Sequence, residues 1–241
     1  MQNIKVISVG GSIIAPDLPD EVFLASFTNT TIDWLKEDNG RRLILVAGGG
    51  ATARHYQTAL ENLSTKHKAA SFDNEQDVST AADWIGIMAT RLNAELLRAC
   101  FGRLAPSPVI TDPTVAPEVW KGDVLVAAGW KPGFSSDNDA VILAEKYGAK
   151  EVINLSNIDY VYDKDPKKNP DAKPLDRISW ADFCAMVGDK WVPGMNAPFD
   201  PIASKKAAEL GLTVICASGC DVDNLRLILD NGDYRGTTIA S

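Results

Sequence analysis

The chain is predicted to be an α/β protein with a parallel sheet, and three observations lead there. The stretch 123–165 reads as strand, loop, helix and strand. Its apolar run Val124 to Ala128 breaks at Gly129, and a short loop, Trp130 to Phe134, carries a Pro-Gly pair. Ser135, Ser136 and Asp137 then open a helical pattern with Ala140, Val141, Leu143 and Ala144 on its apolar face, and Val152 to Leu155 form the next run. Such a βαβ unit implies parallel strands. The second observation is that the other apolar runs are short and β-branched (residues 4–9, 43–47 and 212–216), as strands buried on both faces are. The third is how these runs end: Gly10-Gly11, Gly48 to Gly50, Gly129, Ser156-Asn157 and Ser218-Gly219. In a parallel sheet those ends share one edge, where open α/β folds bind ligands.

Taken in order, the run 4–9 is a first strand with a phosphate-type loop at Gly10, Gly11 and Ser12. Pro19 and Asp20 precede a helix through Val22, Phe23, Phe27, Trp34 and Leu35, stopped by Asn39-Gly40. The run 43–47 leads into Gly48 to Gly50, with Arg54 expected in the first turn of the following helix. A long helix is expected over 83–100, with Ile85, Met88, Leu92, Leu96 and Leu97 as its apolar face. Val109-Ile110 is read as a short strand, and the Pro- and Lys-rich stretch 164–174 as a loop or protruding flap. Short helices are expected at 179–187, from Asp200-Pro201 to Gly211, and from Val222 to Leu229, with a closing strand at Thr237 to Ile239. A single domain is expected, in two halves, 1–127 and a nucleotide-binding half from 128 onward.

Composition narrows the function. A net charge of −8 over 241 residues argues against a nucleic-acid protein, which would carry a basic stripe. No apolar run reaches membrane-spanning length, and the start MQNIKVISVGG lacks a signal peptide's apolar segment, so a cytoplasmic protein is expected. Four cysteines with no Cys-x-x-Cys pair and two histidines give neither a zinc site nor a disulfide framework. There is no G-x-x-x-x-G-K-[ST] and no serine elbow, and Gly10-Gly11 lacks the third glycine of a dinucleotide fingerprint. What remains is a helix start, Ser-Ser-Asp, behind a glycine-containing loop: an anion site with a carboxylate beside it, suited to a metal ion or a polarised lysine.

The ordered segments VGGS (9–12), AGGGxxAR (47–54), DWIGIMATRLNAELL (83–97), GWKPGFSSD (129–137), NLSNIDYVYDKDPKKNPDAK (154–173), DPIASKKA (200–207) and GTTI (236–239) resemble the amino acid kinase superfamily. Within it they look most like the archaeal-type uridylate kinases. The resemblance spans nearly the whole chain. It implies a three-layer αβα sandwich with a mainly parallel central sheet, usually a homohexamer, which transfers the γ-phosphoryl group of ATP-Mg²⁺ to UMP. The half 1–127 would then bind the acceptor and 128–241 the ATP.

The resemblance also implies residue roles. Gly10, Gly11, Ser12, Gly50 and Arg54 would lie at the ATP phosphates, and Ser156, Asn157, Tyr162 and Asp165 around adenine and ribose. Gly49, Asp83, Trp130, Lys131, Pro132, Gly133, Phe134, Ser135 and Ser136 would surround UMP. Asp137, Lys205 and Arg54 would serve the transfer, Asp137 by orienting the phosphate-handling groups. Bland alternatives stand beside four of these: a helix N-cap for Asp83, core packing for Tyr162, and solvated helix positions for Arg54 and Lys205. Ser8 and Ala51 stand where relatives often carry lysine, Trp130 where a small hydroxyl residue is usual, and Asp139 where an apolar one is. These departures leave open a same-fold kinase for another small phosphate or carboxylate acceptor, and an ATP- or anion-binding storage or sensor oligomer.

Overall fold

The computed structural model describes residues 3–67, 72, 74–188 and 197–241. Strands β1 (Asn3–Val9), β2 (Arg41–Ala47), β3 (Val124–Ala127) and β4 (Glu151–Ser156) form first, separated by helices α1 (Gly11–Ile14), α2 (Glu21–Lys36), α3 (Gly50–Thr65), α4 (Glu75–Phe101) and α5 (Ser136–Tyr147). A small antiparallel hairpin follows, β5 (Val161–Tyr162) with β6 (Pro174–Leu175). The chain closes with β7 (Arg177–Ser179), α6 (Trp180–Val187), α7 (Pro201–Glu209), β8 (Thr213–Ser218), α8 (Val222–Leu229) and β9 (Thr237–Ala240).

The main sheet has seven strands in the order β3-β2-β1-β4-β8-β9-β7. The first five run parallel; β9 is antiparallel to β8 and parallel to β7. A mainly parallel α/β sheet is therefore what the molecule has. β1 to β3 run outward on one side of β1 and the later strands on the other, so the strand order reverses between β1 and β4. Gly10 N–H donates to Leu155 O across that junction at 2.8 Å. A crevice at the carboxyl ends of strands at such a reversal is the usual ligand position in open α/β sheets.

Alternation along the strands builds two cores. Ile7, Val9, Leu43 and Leu45 face α2, α4 and α8, packing with Phe27, Trp34, Leu97 and Leu225. Val6, Ile44, Val46 and Val152 face α5, α6 and α7, packing with Val141, Leu143, Phe183, Phe199 and Ala203. Helices on both faces of the sheet give three layers, αβα. Because side chains alternate along a strand, Ser8 points to the same side as Val6, toward α5.

Several expectations shift. α4 begins eight residues before Asp83, capped by Asn74, whose side chain accepts from Asp77 N–H. Asp83 is thus in mid-helix, and the N-cap alternative for it is excluded. The expected apolar face of α4 is right in part: Leu97 is buried and Leu96 packs against the core, but Met88 and Leu92 are exposed, and Ile87, Ala94 and Phe101 are buried in their place. Arg54 is the fifth residue of α3 and opens its second turn. Ile110 makes only an isolated bridge to Ala127, short of a strand. The flap at 164–174 runs between the strands of the β5–β6 hairpin, and β7 was not anticipated.

Candidate active site

The two glycine loops meet backbone to backbone. A Cβ on Gly11 would lie 1.9 Å from Gly50 N, so no side chain fits there. Gly50 takes φ +66, a conformation that favours glycine, and a Cβ on it would lie 2.2 Å from Gly11 O. The buried Asn93 of α4 fixes the second turn by donating to Gly48 O at 2.8 Å and Gly49 O at 3.2 Å. Sequence reading overlooked this residue, because a polar group inside a helix pattern carries no period of its own.

Beside these turns lies a cavity of about 190 Å³. α3 contributes Gly50, Ala53 and Gln57; α4 contributes Asp83, Gly86, Ile87 and Thr90; and Gly49, Gly129 and residues 131–136 complete the wall. All the expected acceptor residues line it except Trp130. The ring of Trp130 packs beside it instead, 4.8 Å from the ring centroid of the lining residue Phe134. Ala53, Gln57, Gly86, Ile87, Thr90 and Gly129 were not anticipated. On α4 the lining positions 83, 86, 87 and 90 follow helical spacing on one face, and that spacing could have found them once Asp83 was chosen.

The loop 129–135 is fastened along its length. Thr90 Oγ1 accepts from Gly129 N–H at 2.8 Å, and the Arg91 guanidinium donates to Gly129 O and Trp130 O. Asp139 Oδ2 accepts from Trp130 N–H at 3.2 Å, and Asp83 Oδ2 from Gly133 N–H at 3.3 Å. Burial raises Asp83 above the usual carboxylate range against that bond. Asp139 is fully buried with one oxygen unpartnered among the described residues, and burial pushes it up to about 7.

Asp137 lies at the head of α5 and is half-buried. Its Oδ1 accepts from Ser8 Oγ at 3.0 Å and its Oδ2 from Asp200 N–H at 3.2 Å. Burial pushes it up to about 6; the Ser8 bond opposes this, and the neighbouring Asp200 charge adds to it. Asp200 itself caps α7, accepting from Ala203 N–H, and burial raises it too. No lysine pairs with Asp137 among the described residues; Ser8 occupies that place.

The other expected residues lie outside this lining. Ser12 is half-buried in α1, Ser156 ends β4, and Asn157 follows it. Tyr162 is half-buried in β5, while Asp165 is exposed at the flap and accepts from Lys167 N–H. Arg54 and Lys205 are both exposed, and neither lines the cavity. A second cavity, of about 220 Å³, lies between the ends of β4 and β8, lined by Asp159, Tyr160, Ser218, Asp221, Asn224 and Arg235. None of the four expected adenine and ribose residues lines it.

The comparisons agree with this architecture. Residues 3–218 match the amino acid kinase family. The chain belongs to the amino acid kinase family. Among its relatives is a uridylate kinase of Methanospirillum hungatei, 34% identical over 236 residues, covering 97% of this chain and 93% of that one. A uridylate kinase of Thermococcus sibiricus is 38% identical over 241 residues, covering 97% and 98%. The crystal structure of a uridylate kinase from Archaeoglobus fulgidus superposes with a TM-score of 0.79 at 31% identity, covering 100% of both chains. In this amino acid kinase the glycine turns, the loop 129–135 and Asp137 thus sit on the carboxyl edge of a family fold.

Proposed function

We propose that the chain transfers the γ-phosphoryl group of ATP to UMP, giving UDP. The observation that carries the reading is the cavity beside the Gly49–Gly50 turn, which holds one cation, Lys131, and one carboxylate, Asp83, among its described lining. Such a bipolar pocket suits a nucleoside monophosphate: a phosphate at one end and hydroxyl or base donors at the other. The likeness to uridylate kinases over nearly the whole chain supports UMP as that acceptor.

In the reaction a UMP phosphate oxygen attacks the γ-phosphorus while the bond to the β–γ bridging oxygen breaks. The acceptor oxygen is already anionic, so no strong base is needed, and catalysis is positioning plus charge neutralisation. Gly11, Ser12 and Gly50 bring backbone N–H groups to the phosphates, while Gly10, whose own N–H is held by Leu155 O, shapes the turn beside them. Asp137, bonded to Ser8 and to the Asp200 amide, fixes the ends of β1, α5 and α7 around the transferring group. Arg54 and Lys205 are the exposed cations free to turn toward ATP; Ser156, Asn157, Tyr162 and Asp165 take adenine and ribose. The acceptor lies chiefly in the half 1–127, closed by the loop from 129 onward, and ATP in the half beyond.

Mg²⁺ keeps several waters and is held through substrate phosphates with few carboxylates. No group of three or more His, Cys, Asp or Glu side chains is placed to hold a metal among the described residues, and both Asp137 oxygens are already bonded. That donor set fits a cation carried by the phosphates of ATP, where it would neutralise their charge.

We further read the chain as a cytoplasmic homo-oligomer. No helix among the described residues is long and apolar enough to cross a membrane, and all four cysteines are free, as a reducing compartment favours. Trp84, Met88 and Leu92 form an exposed apolar row on the outer face of α4, opposite its cavity face. A second copy covering that row would also brace the helix that lines the pocket.

A crystal grown with an ATP analogue and UMP tests the assignment. The reading expects UMP against Asp83 and Lys131 and the analogue's phosphates at Gly10 to Ser12. Both compounds bound away from this edge would overturn it.

A further inference from the structure

Trp130 belongs to the acceptor loop yet does not line the cavity, while its neighbour Lys131 does. The Lys131 ammonium lies 3.9 Å from the Trp130 ring centroid and 4.9 Å from that of Phe134. The two rings are tilted at 55° and only 4.8 Å apart, so together they make a concave aromatic seat for the cation. The backbone beneath is held from three sides, by Arg91 and Thr90 of α4, by Asp139 of α5, and by the Phe134 N–H to Lys131 O turn at 3.2 Å. The loop is rigid where a lysine side chain alone would be free to wander in solvent. A ring face attracts an ammonium through its quadrupole, so the seat restricts Lys131 to the cavity wall without neutralising its charge. A carboxylate in the same place would cancel the charge that an anionic ligand needs.

We infer that Trp130 is a positioning residue: with Phe134 it holds the Lys131 ammonium at the acceptor cavity and so sets the preference for a phosphorylated acceptor over the same nucleoside without its phosphate. Trp130 is not among the residues lining the cavity, so its effect there runs through Lys131. The inference rests on reading this cavity as the acceptor site and names the feature in it that selects the phosphate.

The test is calorimetric titration of the full chain with UMP and, separately, with uridine. The ratio of the two affinities isolates the phosphate contact from general damage to the pocket. Trp130→Leu is expected to lower the UMP-to-uridine ratio by about two- to fivefold, the range of a partly exposed cation–π contact. Trp130→Phe should restore at least half of it, since a smaller ring still offers a face. In Lys131→Met the ratio falls by itself, and adding Trp130→Leu should change it no further. In turnover measurements the loss should fall on KM for UMP rather than on kcat. Equal losses for UMP and uridine in Trp130→Leu would overturn the inference, as would an unchanged effect of that substitution in the Lys131→Met background. A chain that binds neither compound overturns the acceptor reading and this inference with it; UMP binding with equal losses overturns the inference alone.

Discussion

Ser8 Oγ donates to Asp137 Oδ1 at 3.0 Å, across 129 residues of sequence. That bond and the one from Asp200 N–H leave a half-buried carboxylate with two neutral donors and no cation among the described residues. Removing the charge should therefore cost the reaction and spare the fold. Asp137→Asn is expected to lower kcat on the order of 10²–10³, the scale of one lost electrostatic group. Its Tm at pH 8 should equal or exceed that of the parent chain. In the parent, kcat should fall as the pH drops through about 6, where Asp137 takes up its proton. An unchanged kcat in the variant would remove Asp137 from the mechanism.

Asp139 makes a prediction about stability alone. Its folded pKa, about 7, is raised above the ordinary carboxylate value, so between the two the folded chain holds a proton that the unfolded chain has released. Its contribution is most favourable below about pH 4 and is lost as the pH rises toward 7. Asp139→Asn keeps an acceptor for Trp130 N–H and removes the titration. The difference in unfolding free energy between variant and parent should grow in the variant's favour from pH 4 to pH 7.5, by up to ~4 kcal/mol at 1.36 kcal/mol per pKa unit, with Tm moving in the same direction. A difference that is flat with pH would contradict the burial argument.

Arg54 and Lys205 are exposed and outside the cavity, so neither contributes to packing there. Surface substitutions of this kind change stability by less than about 0.5 kcal/mol. Arg54→Ala and Lys205→Ala are each expected to lower kcat/KM by about tenfold or more, the loss of one charge-assisted phosphate contact, with Tm unmoved. Normal kinetics in either variant would return that residue to the solvated role its sequence context also allowed.

The exposed row on α4 predicts assembly. Trp84, Met88 and Leu92 are 44%, 57% and 64% exposed in the single chain. Fully burying one such side chain is worth about 1.5–3 kcal/mol, and a charge in its place reverses the sign. Met88→Asp should shift the mass measured by light scattering toward smaller species. The same mass in variant and parent would place any interface elsewhere.

Much of this was legible before the structure. Strand ends at Gly10-Gly11, Gly48 to Gly50 and Ser156 could be read because an apolar run followed by small residues marks a buried strand and its turn together. The start of α4 could not, since residues 75–82, EQDVSTAA, show no apolar period. Periodicity also could not say which stripe of α4 the sheet covers, and Met88 and Leu92 were assigned to the wrong one. The Ser8–Asp137–Asp200 contact joins three elements through packing alone. The seating of Lys131 on Trp130 depends on the fold of a seven-residue loop, which composition does not fix.

Transfer to UMP is the central claim, and one measurement addresses it most directly. ADP release from ATP-Mg²⁺ is followed with UMP, CMP, AMP and simple carboxylates offered separately, and the phosphorylated product is identified by ³¹P NMR. The account predicts rapid release with UMP and UDP as the product. Faster release with another acceptor, or tight ATP binding with no turnover on any of them, would contradict it.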